Sequence, residues 1–196
     1  MSDLDKARVR RCMEMFDAAN AEDPNRDPSG EAKELSYAKR MSAWLDRLEP
    51  KAPDEVRLAV RAQHIRRWEI PRNSYPDGRR AYLAWRRELG RFHADTAGAI
   101  MRDCGFDDSS VLRVQSIIRK ERFKTDRLAQ LLEDVACLVF LDHYFAAFAG
   151  DQTEDSMINI LRKTWKKMSE DGRSAALEIE YSPECRELLD KALGDA

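Results

Sequence analysis

Three histidines occur in the 196 residues, and two of them sit in unusual company. His64 lies in RAQHIRRWEIPR, a stretch with alanines and Ile65 suited to a packing helix, yet carrying four arginines. His93 follows in RFHADTAGAI. A third polar residue, Asp134, stands at the head of VACLVFL, inside the most apolar segment of the chain. A buried carboxylate costs several kcal/mol, roughly, unless it is paired, hydrogen-bonded or bound to a cation. Asp134 therefore needs a partner. Two imidazoles and one carboxylate form a common ligand set for Zn, Mn or Fe. The same three groups can equally form a satisfied polar network without metal.

Arginines surround this trio. Arg61, Arg67 and Arg72 flank His64, and Arg40 lies on the preceding predicted helix. A guanidinium fork suits phosphate or carboxylate, and Trp68, close by, could stack a ring. Helical spacing places Arg61 and Trp68 on the face of His64. The turn at IPR is expected to swing Arg72 back over the site. Glu121 follows Ile117 by four positions and is expected to look inward beside Lys120. There it could act as a general base, or form an internal ion pair.

These residues need helices to position them, and the chain supplies the signals. Only 8 Gly and 7 Pro occur, and apolar residues recur at helical spacing throughout. A first helix, about 3 to 23, is amphipathic through Leu4, Val9, Cys12, Met13 and Phe16 and stops at EDPNRDPSG. A second, about 31 to 48, presents Leu35, Met41, Trp44, Leu45 and Leu48. A third is expected over about 54 to 68, and a long one over about 78 to 104, ending at Gly105. DDSS at 107 to 110 offers N-caps for the next. LLEDVACLVFLDHYFAAFAG is apolar all round and reads as a buried helix. Thr153 and Ser182-Pro183 start the last ones. No period-2 strand pattern occurs. The expectation is an all-α, single-domain helical bundle, residues 1–196. Its core spans about 31–150, with the N-terminal helix and C-terminal helices over 153–193 packing on it.

Composition bounds the function. The formal charge is −2 and the pI about 6.0, which weighs against nucleic acid as a partner. Cys12, Cys104, Cys137 and Cys185 form no CxxC pair, so a zinc ribbon or thioredoxin-type motif is absent. The N-terminus has no apolar stretch of the signal-peptide kind, and no run approaches the roughly 20 apolar residues of a membrane span. A cytoplasmic protein with free thiols and no membrane partner is expected.

The segment from about 57 to 144 resembles the HD-domain superfamily of metal-dependent phosphohydrolases. RLAVRAQHI, FHADTAGAIMRDCGF, IIRKE and LEDVACLVFLDHY occupy its successive motif positions in the right order and with similar spacing. The resemblance implies that His64, His93 and Asp134 hold a divalent metal (Zn, Mn, Fe or Mg). It further implies hydrolysis of a nucleotide or small phosphorylated metabolite, with Glu121 and Lys120 as catalytic groups and the arginines as a phosphate clamp. Three positions depart from the pattern. Ile65 replaces the HD aspartate, Glu121 a frequent histidine, and Tyr37, in ELSYAKRMSAWL, the first histidine. Glu34 or Glu121 could supply a replacement oxygen ligand. The departures favour the alternative of a non-catalytic HD-like scaffold that binds an anionic ligand or a protein. ANAEDPN, ELSYAKRMSAWLDRL, RAQHIRRWEIPR, YLAWRRELGRFHA, IIRKERFKTD and LEDVACLVFL are also similar to an uncharacterised domain-of-unknown-function family, which implies no activity.

Overall fold

The computed structural model describes residues 3–194; the side chain of Leu4, a further apolar residue of the first helix, lies outside the described residues. The fold is all-α. Its helices are α1 (Asp3–Ala21), α2 (Lys33–Leu48), α3 (Asp54–Ala62), α4 (Arg79–Asp103), α5 (Asp108–Ile118), α6 (Arg127–Val139), α7 (Phe145–Ala149), α8 (Glu154–Lys167), α9 (Glu170–Leu177) and α10 (Pro183–Gly194). Two 3-10 turns, Arg67–Glu69 and Arg72–Ser74, separate α3 from α4. A π-helical turn, Phe140–Tyr144, separates α6 from α7. Among the described residues there is no strand, only an isolated antiparallel bridge between Arg26 and Ala32. The described chain divides into two compact units, one up to Leu132 and one from Glu133, and each is taken by itself.

In the first unit α3 packs against α1, α2, α4 and α5. Nine residues are too few for a helix to hold alone in water. Val56, Leu58, Ala59, Val60 and Ala62 are all buried, and each larger side chain contributes about 1.5–3 kcal/mol on burial. Packing therefore makes α3. Where α4 crosses α5, Gly98 admits the side chain of Gln115; a Cβ there would lie 2.5 Å from Gln115 Nε2. That amide donates to the Ala94 carbonyl at 3.0 Å. The loop before α2 is organised by two aspartates. Asp23, fully buried, accepts the Glu34 N–H at 3.0 Å and so caps α2 from eleven residues upstream. Asp27 accepts Ser36 Oγ at 2.6 Å and Arg40 at 3.1 Å.

The second unit contains α7 to α10 and the end of α6. α10 packs on α7 and α8. Thr153 caps α8 through the Ser156 N–H, and Ser169 caps α9 through that of Gly172. The expected caps at Asp107 and Ser182 are also formed. All four cysteines are buried free thiols, and no helix among the described residues is long and apolar enough to cross a membrane.

Candidate functional site

The expected third helix ends early. After Ala62 the ladder tightens to i→i−3 bonds, Ile65 N–H to Ala62 and Arg67 N–H to His64. Arg66 then takes a left-handed conformation, φ 52°, at a cost of about 1–2 kcal/mol. Asn20 on α1 offsets this: its Oδ1 accepts the Arg66 N–H at 3.1 Å. The turn carries His64 off the α3 surface, so it does not share a helical face with Arg61 and Trp68 as expected.

His64 is turned toward α2 and α4 instead. Its ring stacks on Tyr37, centroids 4.2 Å apart and planes 12° off parallel. Tyr37, which stands about where the resemblance would put a first histidine, thus packs on His64, and its hydroxyl donates to Gln63 at 2.9 Å. His64 Nδ1 lies 3.4 Å from Glu34 Oε2. Arg67 Nη1 lies 3.7 Å from the other Glu34 oxygen and its guanidinium sits over Trp85. The His93 ring is 5.8 Å from that of His64. Its Nδ1 is 2.8 Å from the carbonyl oxygen of Ile65. A carbonyl only accepts, so the proton is on Nδ1 and Nε2 presents a lone pair. That Nε2 is buried without a hydrogen-bond partner.

The charge states follow from burial. Desolvation pushes the Glu34 carboxyl up to about 7, with Arg67 pulling the other way and Asp23 adding to the rise. Desolvation lowers His93 to about 3, helped by neighbouring His64. His64 is held well below the ordinary histidine range by burial and then by Arg67, Arg86 and Lys120. Near neutral pH the site holds two neutral imidazoles, a half-protonated carboxyl and three cations.

The two imidazoles, Arg86 and Lys120 border a recess of about 100 Å³, with Gly90 and Arg119 also in its wall. Lys120 stands there because α5 ends in a Schellman motif: its N–H bonds Ile117, that of Glu121 bonds Ser116, and Lys120 itself is left-handed, φ 56°. This ending overturns the inward placement of Glu121. The helix has stopped before it, so the four-residue spacing from Ile117 no longer sets its direction. Glu121 is exposed and paired with Arg119 at 2.7 Å.

Other expected residues have structural tasks. Arg61 makes a double hydrogen bond to Asp17, both at 2.6 Å, and reaches Ser42. Arg40 is held by Asp27. Arg72 does not swing back over the site; it donates to the Tyr75 and Pro76 carbonyls of its own loop. Trp68 is half-buried in the 3-10 turn. In the second unit both oxygens of the Asp134 carboxylate accept from Ser169, N–H at 2.8 Å and Oγ at 2.6 Å. The buried carboxylate thus has its partner. Among the described residues no group of three or more His, Cys, Asp or Glu is arranged to hold a metal ion.

The arginines of RRAYLAWRRELGR are functional candidates that only the structure brings out. Arg79, Arg80, Arg86, Arg87 and Arg91 recur at four- and seven-residue spacings and line an open groove of about 920 Å³ on α4. None of the five is ion-paired to another described residue. That spacing was the available signal.

A family model described as a domain of unknown function, DUF4202, matches residues 10–189. The chain belongs to the DUF4202 family. No curated protein and no solved structure matches it. The DUF4202 match takes in every residue of the recess and groove just described.

Proposed function

We propose that this DUF4202 protein binds a small phosphorylated ligand, with a phosphoryl group entering the recess beside His64. The observation that carries this reading is the convergence of Arg86 and Lys120 with the neutral rings of His64 and His93 in the wall of one recess, with Arg67 close to His64. A volume of about 100 Å³ is well below the roughly 300 Å³ at which small-molecule pockets begin. It admits a phosphoryl group and leaves the rest of the ligand outside. The free lone pair of His93 Nε2 accepts the O–H of a singly protonated phosphate, while Lys120 and Arg86 donate to its oxygens. This is the scaffold alternative of the sequence reading, in its anion-binding form.

The second reading, a divergent HD-like metal-dependent phosphohydrolase, is favoured by the same nitrogen. A neutral imidazole whose other nitrogen is fixed by a backbone carbonyl is oriented as metal-ligating histidines are. Glu34 would then stand beside His64 and His93 in the role expected of Asp134. With no three-ligand group arranged among the described residues, no hydrolytic step is assigned to a metal.

Calorimetric titration of chelator-treated protein with orthophosphate tests the first reading. Millimolar or tighter binding is expected, weakened about tenfold by His64→Ala and by Lys120→Ala. No binding by the parent protein defeats it. Phosphate release from pyrophosphate that requires added Mn²⁺ or Zn²⁺ and is lost in His93→Ala decides for the second.

A further inference from the structure

We infer that the ligand carries a row of phosphates, its terminal phosphoryl in the recess and the remainder held along α4. This rests on the phosphoryl reading of the recess. The groove and the recess are continuous in their walls, sharing Arg86, Gly90 and Arg119. From Arg79 to Arg91 the helix rises about 18 Å, and the five unpaired arginines with Leu83 and Gly90 fall within an arc of about 140°. A single phosphate can satisfy one or two guanidinium forks, whereas a chain of phosphates satisfies them in sequence. Like charges one turn apart, as at Arg87 and Arg91, destabilise a helix, and an anion lying along this face removes that repulsion.

The composition of the groove sets the ligand class. Its wall contains no aromatic ring, so it lacks the aromatic platform on which nucleobases stack most strongly. Its one acid, Glu121, is tied to Arg119. Arginine forks with no aromatic surface among them fit a base-free oligophosphate. Gly90 makes the passage: a Cβ built there meets nothing within 4 Å, so the space between groove and recess is open.

The test is calorimetry on the metal-free, full-length protein with orthophosphate, pyrophosphate, tripolyphosphate, a single-stranded RNA 12-mer and hexaglutamate. Tripolyphosphate is expected to bind at least 50-fold tighter than orthophosphate, with a steeper salt dependence. In Arg87→Gln/Arg91→Gln, and in Gly90→Leu, the ratio of the two affinities is expected to fall below five. Circular dichroism and the melting temperature establish that each variant is folded. Equal affinity for orthophosphate and tripolyphosphate, both weakened by His64→Ala, overturns the inference and leaves the recess reading standing. Tripolyphosphate binding that ignores His64→Ala and Lys120→Ala overturns the recess reading and the inference with it. RNA or hexaglutamate binding as tightly as tripolyphosphate overturns the ligand class.

Discussion

Lys120 occupies a backbone position that ordinarily takes glycine. Its left-handed φ of 56° costs about 1–2 kcal/mol for a residue with a side chain, while glycine there sacrifices part of that gain to the entropy of the unfolded chain. Lys120→Gly should therefore stabilise the protein by about 0.5–1 kcal/mol in urea titrations and weaken orthophosphate binding about tenfold by calorimetry. A variant that is less stable, or that binds as well, would mean the lysine is not retained for the recess. His93 gives a pH signature. Its pKa is about 3 in the fold against 6.5 ordinarily, so between those values the unfolded chain binds more protons and stability falls as pH falls. From pH 7 to pH 5 this amounts to about 2 kcal/mol. Glu34, raised to about 7, acts oppositely over pH 7 to 4.5. The wild type minus His93→Gln difference isolates the histidine: urea denaturation should show the variant losing about 2 kcal/mol less between pH 7 and 5. At this scale the two histidines were legible because they are rare. Which arginines attend them was not, since Arg61 is committed to Asp17, an acid 44 positions away.

Helix starts were written locally and could be read: Asp107, Thr153 and Ser182 cap where their sequences say they should. Two helix ends could not. The turn after α3 depends on Asn20, 46 residues earlier, and the end of α5 places a lysine and not a glycine at the left-handed position. Those two ends decide the direction of His64 and of Glu121, so the errors of the sequence reading collect there. Asp134 shows the same distance effect. The need for a partner was readable, but the partner, Ser169, lies 35 residues on. The carboxylate holds the first turn of α9 so closely that a Cβ at Gly172 would sit 2.8 Å from Asp134 Oδ1. Asp134→Ala should cost about 1–3 kcal/mol of stability, measured by denaturant unfolding, with orthophosphate affinity within twofold of the parent. A large loss of affinity at unchanged stability would return Asp134 to the ligand site.

Over the whole chain, basic and acidic residues number 34 and 36. Setting aside the five arginines of the α4 groove leaves 29 against 36, so the near balance conceals a concentrated positive stripe on an otherwise acidic protein. Bulk charge excluded a generally cationic protein correctly and said nothing about this stripe, because a sum has no location. The all-α class, by contrast, was fully legible, since periodicity is repeated in every segment and needs no long-range information. One consequence lies in the 3.4 Å approach of His64 to Glu34. The carboxyl stands near half protonation, and the ring is kept neutral by burial first and by surrounding cations second, so an incoming anion would offset the cationic part of that field and favour the protonated carboxyl. On the phosphoryl reading, ligand capture should therefore draw hydrogen ions from the buffer, and mild acidification through the Glu34 range should tighten the grip of the protein on an anion.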